Sequence, residues 1–437
     1  MERVLSSDVA KHAGQPVKVQ GWLHKKRLLG GLNFINMRDR GGLVQVVVQD
    51  EAEVEKLRGL QIGTVLSVEG KAVEEPRAPG GAEIHEPKIT IDVPVTDEPP
   101  IELDKPLSHK PENLDTLFDN RPIGLRNLQE QAIFKIQAET EEAIRKYLRG
   151  QGFTQFNSPK LLPGATEGGA EVFKLDYFGK EATLAQSAQF YKQMMVGVFE
   201  RVFEINPTYR AEPSATTRHM TEFMTVDVEM GFVSFPELLD LLSNLINAAV
   251  DDVWKNCADQ LKLWDASKPV LPASFPTMTM EEIHEKYSKA TGNNTVGEKD
   301  LRPDEEKWIC EYAAKELKSD AVFVTHWPES EAKFYHKVDE QNPQFAERFD
   351  LLFRGVEIAT GSMREHRYEV LVKQLKAKTG GSPDDPGFKY FLTAFKYGMP
   401  PHGGFGMGLE RLVEKIIGLQ NIKEATLFPR DMNRLAP

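Results

Sequence analysis

Within residues 17–95 five short runs rich in β-branched and aromatic side chains follow one another, VKVQGWLH, LNFINMRD, LVQVVVQD, VLSVEGKAV and AEIHEPKITI, each bounded by turn-forming residues. So many short strands in so little chain point to a small closed barrel. The pattern then stops. Pro94, Pro99, Pro100, Pro106 and Pro111 mark a connector that reads as a semi-extended hinge. Beyond it, Ile133, Ile136, Thr140, Ile144, Tyr147 and Leu148 recur at helical spacing and stop near Gly150 and Gly152. The 437 residues are also too many for one ordinary domain of about 150 residues. The expected division is a barrel over 1–100, a linker over 101–126 and a larger body over 127–437.

In that body FTQFNSP follows the first helix as a strand. Ser234-Phe-Pro-Glu237 is a capping box with proline near the first turn, and it opens a helix through LLDLLSNLINAAV. Residues 255–330 are mixed and charged, with helix-like stretches such as EEKWICEYAAKEL, and read as an insertion or helical subdomain without chemistry of its own. From 345 onward β-like segments return, followed by the glycine-dense PHGGFGMGLER and an amphipathic helix to about Gly418. Strands and helices do not alternate regularly. An α+β body with an antiparallel sheet flanked by helices therefore fits better than a doubly wound fold.

Lys and Arg total 54 against 66 Asp and Glu, a formal charge of −12, which argues against a protein that coats nucleic acid by bulk charge. The charge is uneven. Between residues 11 and 40, Lys11, Lys18, Lys25, Lys26, Arg27, Arg38 and Arg40 stand against Asp39 alone. With Trp22 and Phe34 in the same stretch, this fits the oligonucleotide-binding (OB) form of five-stranded barrel, which attracts a phosphate backbone and stacks bases. A solvated sheet with two core aromatics fits the segment equally. No stretch approaches the roughly 18 apolar residues of a membrane span, and MERVLSSDVAKHAG has no apolar signal core, so a cytoplasmic protein without membrane contact is expected. Cys257 and Cys310 lack the spacing of a zinc site and are too few for a disulfide framework, so both read as small buried hydrophobes.

Neither GxxxxGK[ST] nor GxGxxG is present, so an ATP site would have to be built otherwise. In RVFEINPTYRAEPSATTRHMTEF, Arg210 ends a β-like run and Arg218 with His219 follows a short turn. Two guanidiniums so placed can face one polyanion, and Glu212 could accept an exocyclic amine. Cross-strand ion pairs of a hairpin are the plainer explanation. In FDLLFRGVEIATGSMREHR, Asp350 and Glu357 are seven apart, and a tight turn between antiparallel strands could bring both onto one Mg²⁺ rather than leave them as surface charge. Glu357 lies between Val356 and Ile358, and a carboxylate in an apolar run needs a partner. In PPHGGFGMGLER, Gly403, Gly404, Gly406 and Gly408 either let backbone approach a flat ligand or pack a strand against a helix. Arg411 in the first turn of that helix is a poor partner for the helix dipole unless an anion is near. Thr166-Glu167-Gly168-Gly169 reads as a polar loop, and Lys192 after Gln189 either holds a small acidic substrate or snorkels at the surface.

In this order and spacing the clusters resemble those of the class II aminoacyl-tRNA synthetases, and among them the aspartyl-tRNA synthetases of the archaeal type. The helix from about 127 to 150 with the strand ending at Pro159 resembles the family's dimer-forming first motif, TYRAE with TTRHMTE its second, and GGFGMGLER its third. The resemblance covers essentially the whole chain, from the barrel to LFPRDMNRLAP. It implies an OB anticodon-binding barrel joined to a class II catalytic domain with a mainly antiparallel sheet flanked by helices. It also implies ATP-dependent attachment of L-aspartate to tRNA through an aspartyl-adenylate, by a homodimer, with Mg²⁺ as cofactor. On this resemblance ATP meets Arg210, Ala211, Glu212, Arg218, His219, Met220, Glu357, Gly408, Leu409, Glu410 and Arg411. Arg210, Glu212 and Arg411 act in catalysis, with Arg210 on the α-phosphate and Arg218 and His219 beside the outer phosphates. Asp350, Glu357 and Thr360 hold the metal, while Glu167, Gln189, Lys192, Arg210, Thr360 and Arg364 receive aspartate.

Lys192 and Arg364 would pair the side-chain carboxylate of aspartate, whereas asparagine would leave a buried cation unmatched. The asparaginyl relatives lack this lysine. Two positions depart from the family's habit: Ser187-Ala188-Gln189 stands for Ser-Pro-Gln, and Thr360 for a serine. In the barrel Phe34, Gln45 and Glu83 match the anticodon contacts. Members restricted to aspartate tRNA carry tryptophan in a GW-x-W pattern and a lysine in a later loop; here His24 and Pro79 stand at those positions, as in relaxed members. The resemblance thus implies charging of both tRNA(Asp) and tRNA(Asn), the second product passing to a tRNA-dependent amidotransferase. The alternatives are an enzyme restricted to tRNA(Asp), an asparaginyl-tRNA synthetase, an amidating asparagine synthetase, whose kind lacks the barrel present here over 1–100, and a catalytically silent OB-type RNA-binding protein.

Overall fold

Along strand β1 (Pro16–Leu28) Val17, Val19, Gly21 and Leu23 turn inward while Lys18, Gln20 and Trp22 turn outward, the period-two alternation of a strand with one buried face. The computed structural model describes residues 1–28, 30–31, 33–164, 171–213 and 216–437. After β1 come β2 (Asn33–Asp39), β3 (Gly42–Val48), helix α1 (Glu51–Arg58), β4 (Val65–Glu74) and β5 (Ala82–Val93), and the strands close in the order β1-β2-β3-β5-β4. Val19, Leu23, Ile35, Met37, Val46, Leu66, Val68 and Ile84 fill the barrel. The Asp50 carboxylate caps α1 by accepting from the N–H groups of Ala52 and Glu53 at 2.8 and 3.2 Å. At its other end Lys26 Nζ donates to the carbonyls of Leu57, Arg58 and Leu60 at 3.2, 2.9 and 2.6 Å, so one cation of the basic stretch holds the fold.

The chain divides into two compact units, Met1–Gln131 and Ala132–Ala436. The 101–126 segment is not simply the semi-extended hinge expected from its prolines. It carries α2 (Pro111–Asp119) and α3 (Arg121–Gly124), and Ile101, Leu114, Leu117 and Phe118 pack into a small apolar cluster. Both helices have proline in the first turn, where a missing N–H costs nothing because no intrahelical partner awaits it.

Helix α4 (Leu128–Gly150) leads into the second unit and turns Ile133, Ile136, Ile144 and Leu148 into its core. Then follow β6 (Thr154–Gln155), β7 (Leu161–Leu162), β8 (Lys174–Tyr177), β9 (Lys180–Leu184), α5 (Gln189–Phe199), β10 (Arg201–Tyr209), β11 (Glu222–Gly231) and α6 (Phe235–Asn256). The expected capping box between Ser234 and Glu237 is present, with the Ser234 N–H donating to the Glu237 carboxylate at 2.8 Å. The remainder comprises α7 (Ala258–Lys262), β12 (Thr277–Thr279), α8 (Met280–Thr291), α9 (Pro303–Tyr312), β13 (Ala321–Thr325), β14 (Trp327–Pro328), β15 (Phe345–Ala346), β16 (Arg348–Phe353), β17 (Val356–Arg364), α10 (Tyr368–Thr379), α11 (Pro386–Phe395), β18 (His402–Gly408) and α12 (Leu409–Ile417).

Among the described residues eight of these strands form one sheet in the order β12-β13-β16-β17-β18-β11-β10-β6. It is antiparallel through the middle and parallel only in its outermost pairs, β12 with β13 and β10 with β6. The 255–330 segment needs a correction. It does contribute helices, but β12 and β13 belong to the main sheet, and Val322, Val324, Ile283 and Ile309 share a core, so it is not a separate insertion. Its charged composition hid two strands of three and five residues. Cys257 and Cys310 are buried free thiols, and among the described residues no helix is long and apolar enough to cross a membrane.

Candidate active site

A cleft of about 430 Å³ opens on the second unit, lined by residues of α5, β11, β16, β17, β18 and α12 and of the loop between β10 and β11. Its geometry begins with the β16–β17 hairpin. Arg354 and Gly355 form the turn with φ of 46° and 91°, the two-residue reversal whose twist suits antiparallel strands. Arg354 tolerates that conformation because its side chain is fastened to Asp320, to Ser267 and to the carbonyl of Lys415. Asp350 lies opposite Thr360 in the register, and Thr360 Oγ1 donates to Glu357 Oε1 at 3.2 Å. The tight turn therefore gathers Asp350, Glu357 and Thr360, as the sequence predicts.

The three do not share one environment. Glu357 and Thr360 line the cleft, whereas Asp350 is buried and held by Arg348 Nη2 at 3.1 and 3.3 Å. Burial pushes the Asp350 carboxyl up to about 7; the Arg348 charge pulls against this, and Glu357 adds to it. Among the described residues no cluster of three or more His, Cys, Asp or Glu side chains is poised for a metal. Two carboxylates that repel one another beside a hydroxyl do fit Mg²⁺, provided substrate phosphates complete its oxygen shell.

The cations stand around the same cleft. Arg210 lies with its guanidinium 5.4 Å from the Phe223 ring centre and 4.0 Å from Glu212, and its Nε has no hydrogen-bond partner among the described residues. Arg218 donates to Glu306 at 2.9 Å and to the Gly355 carbonyl at 3.3 Å. His219 Nδ1 is 2.7 Å from Thr216 Oγ1, and burial followed by the charge of Arg411 lowers its pKa, favouring the neutral ring. Arg411 donates to the Glu357 carbonyl at 2.8 Å and lies 3.6 Å from its carboxylate, so the first-turn arginine already has an anionic neighbour.

Burial pushes the Glu410 carboxyl up to about 7, although the Met224 N–H donates to both of its oxygens at 2.9 and 3.0 Å. Because the folded-state pKa lies above the ordinary 4.5, this group's contribution to stability is complete below that value and is lost as pH rises through about 7. Glu410→Gln should therefore gain on the parent protein by roughly 2 kcal/mol between pH 5 and pH 8. Denaturant unfolding of both proteins at the two pH values measures this, and a gap independent of pH would show that Glu410 is ionised throughout.

The floor of the cleft corrects an expectation about charge. Lys192 does not snorkel; it is 1% exposed, with Nζ donating to Asp227 Oδ1 and to the Phe405 carbonyl, each at 2.9 Å, and lying 3.8 Å from Glu229. Arg364 donates from Nε and Nη2 to the two oxygens of Glu229 at 2.8 and 3.1 Å. Neither cation is thus left unmatched without an aspartate ligand. Burial would raise the Asp227 carboxyl, but the Lys192 charge and the donors of Lys192, Asn206 and Thr225 hold it below the ordinary value. The glycine run serves this floor. A Cβ on Gly404 would collide with the Glu229 carboxylate, and one on Gly403 would press on Met363 and Leu238. These two glycines admit protein atoms, while Gly406 and Gly408 line the cleft.

On the barrel, Phe34, Gln45 and Glu83 share the outer face of β2, β3 and β5. Gln45 pairs with Asn36, two residues from Phe34, and with Glu83. Gln45 Nε2 donates to Glu83 Oε1 at 2.5 Å, and Glu83 Oε2 lies 3.0 Å from His85 Nε2. Phe34 is half-buried and Trp22 is exposed beneath Arg38, whose guanidinium carbon lies 4.8 Å from the ring centre, so neither is the core aromatic of the plainer reading. His24 is buried at a bulge in β1, where burial and Arg38 lower its pKa, and Pro79 opens the turn between β4 and β5.

A family model for tRNA synthetases class II (D, K and N) matches residues 113–432, and one for an OB-fold nucleic acid binding domain matches 17–92. The chain belongs to the class II tRNA synthetases. The aspartate–tRNA(Asp/Asn) ligase of Thermus thermophilus is 40% identical over 439 residues, covering 100% of both chains. The aspartate–tRNA(Asp) ligase of Pyrococcus abyssi is also 40% identical and covers 99% of each. Among solved structures, asparaginyl-tRNA synthetase of Pyrococcus horikoshii complexed with asparaginyl-adenylate superposes with a TM-score of 0.91 at 31% identity, covering 100% of both chains.

In this class II synthetase the cleft gathers Gln189, Lys192, Arg210, Glu212, Arg218, His219, Met220, Glu357, Thr360, Arg364, Gly408, Glu410 and Arg411. Ala211 and Leu409 do not line it: the Ala211 N–H bonds to the Glu171 carbonyl, and Leu409 is buried in the core. Glu167, with Thr166, Gly168 and Gly169, lies outside the described residues. Sequence reasoning missed Asp227, Glu229, Glu306 and Arg348. Asp227 and Glu229 alternate with valine in VDVEMG, the signal of a carboxylate in an apolar run that drew attention to Glu357.

Proposed function

We propose that this synthetase activates L-aspartate with ATP and transfers it to both tRNA(Asp) and tRNA(Asn). The observation that carries aspartate is the convergence of Lys192 and Arg364 at the floor of the cleft, with the full-length similarity to named aspartate–tRNA ligases in support. An ammonium has three N–H donors, and the contacts to Asp227 and Phe405 engage two, which leaves one for a substrate carboxylate. Gln189 Nε2, buried and without a partner among the described residues, is a second donor for the amino acid.

ATP lies with its phosphates among Arg210, Arg218, His219 and Arg411. Arg210 meets the α-phosphate, where charge builds as the aspartate α-carboxylate attacks and pyrophosphate departs. Positioning and neutralisation suffice, and no protein nucleophile enters. The terminal adenosine hydroxyl of tRNA then attacks the aspartyl carbonyl and releases AMP. Asp350, Glu357 and Thr360 would hold Mg²⁺, which when bound neutralises phosphate charge. Arg348 must share Asp350 with it.

Phe34 stacks an anticodon base while Gln45 and Glu83 read base edges, and His24 and Pro79 relax the choice between the two tRNAs. Within the same reading the protein is a cytoplasmic homodimer, and an amidotransferase converts the aspartyl group on tRNA(Asn). Edge strand β6 at the end of the sheet is suited to self-association because, among the described residues, one side of its backbone has no strand partner in the sheet order. The test is aspartylation of purified tRNA(Asp) and tRNA(Asn) side by side. Both should be charged, and His24→Trp should lower charging of tRNA(Asn) by roughly tenfold or more, the scale of one altered base contact. Charging of tRNA(Asp) alone rejects the relaxed specificity, and pyrophosphate exchange with asparagine alone rejects aspartate.

A further inference from the structure

We infer that Glu306 is a positioning residue for nucleotide, holding Arg218 at the end of the cleft where the outer phosphates of ATP lie; this rests on the ATP-dependent reading above. Arg218 enters from the loop between β10 and β11, and a long guanidinium on a loop has many rotamers to choose from. Two contacts fix it from elements far away in sequence: Nη1 donates to Glu306 Oε2 at 2.9 Å, and Nη2 to the Gly355 carbonyl at 3.3 Å. Gly355 belongs to the turn of the hairpin that bears Asp350 and Glu357. Glu306 thus ties α9 to the phosphate-facing loop, and Gly355 ties that loop to the hairpin.

The register of α9 explains why Glu306 can be relied upon. Its neighbour Glu305 is 0% exposed and accepts from Thr295 Oγ1 at 2.6 Å and from the Arg302 N–H at 3.1 Å, with His284 Nδ1 at 2.8 Å. A first turn anchored in this way directs the next carboxylate to one place. Burial and the charge of Glu357 raise the Glu306 carboxyl above its ordinary value, while the charge and hydrogen bond of Arg218 and the charge of Arg411 oppose them. Two of the five guanidinium N–H donors of Arg218 are engaged in these contacts, and the others remain for phosphate oxygens. A cation oriented before the nucleotide arrives need not be ordered on binding.

The experiment is ATP–pyrophosphate exchange by the full-length protein, with ATP and aspartate varied separately, for the parent, Glu306→Ala, Glu306→Gln, Arg218→Ala and the Arg218→Ala/Glu306→Ala pair. Glu306→Ala should raise KM for ATP roughly tenfold and leave KM for aspartate within about twofold, as expected for one lost charge-assisted contact that acts on nucleotide alone. Glu306→Gln, whose amide oxygen still accepts from Arg218, should recover part of the loss, and it is the variant to read if the alanine protein does not fold. In the Arg218→Ala background Glu306→Ala should add nothing. An unchanged KM for ATP, equal rises for both substrates, or effects that multiply in the double variant would overturn the inference. If the parent shows no exchange with aspartate, the proposed function fails instead, and calorimetric titration of the same variants with ATP still decides the role of Glu306.

Discussion

Arg210→Ala is expected to lower aspartate-dependent ATP–pyrophosphate exchange by about 10³-fold, the scale of removing one preorganised donor from the position where charge develops. The expectation follows from how little else Arg210 does. Its guanidinium rests against Phe223, reaches Glu212 only at 4.0 Å, and keeps a buried Nε without a partner among the described residues. A cation so weakly committed to the fold is available to a ligand. Arg354, whose guanidinium is fastened to Asp320, Lys415 and Ser267, shows what a structural arginine looks like in the same unit. The stability of Arg210→Ala should accordingly change by less than about 1 kcal/mol. Exchange that stays above a tenth of the parent rate, in a protein with an unaltered unfolding curve, would remove Arg210 from the α-phosphate.

The contrast between Arg210 and Lys192 also shows what the sequence can and cannot disclose. The barrel was legible because β2 alternates strictly, the first half of β1 does so too, and turn residues bound the strands, so that local pattern and tertiary burial largely agree. The hairpin bearing Asp350 and Glu357 was legible for a similar reason: Arg354-Gly355 supplies the turn, and spacing does the rest. The strands at 277–279 and 321–325 were not, because a strand of three residues carries no period and AVFVT alone does not say which sheet will take it. Glu306 was invisible for a deeper reason. It stands in an acidic first helical turn, DEE, where solvent exposure is the usual fate, and only the packing of α9 makes it the neighbour of Arg218. The pairing of Lys192 with Asp227, 35 positions away, likewise depends on a helix crossing a sheet.

That pairing leads to the second large effect. Lys192→Met should cost on the order of 3–5 kcal/mol in stability, because it leaves the Asp227 carboxylate buried without its cation while Glu229 remains committed to Arg364. It should also reduce aspartate activation, but instability alone would do the same, so one variant cannot separate a structural lysine from a substrate-binding one. Adding Asp227→Asn can. Asp227 accepts from Asn206 and Thr225 as well as from Lys192, and an amide oxygen can retain one of those contacts without a charge to bury. The Lys192→Met/Asp227→Asn protein should recover most of the lost stability. If Lys192 also meets the side chain of aspartate, activation of aspartate should remain about 10²-fold below the parent even so, since the loss of a charge-assisted contact to the substrate is not repaired by neutralising the floor. Recovery of exchange together with stability would show that Lys192 serves the core alone, and the discrimination of aspartate would then rest on Arg364 and the donors around it.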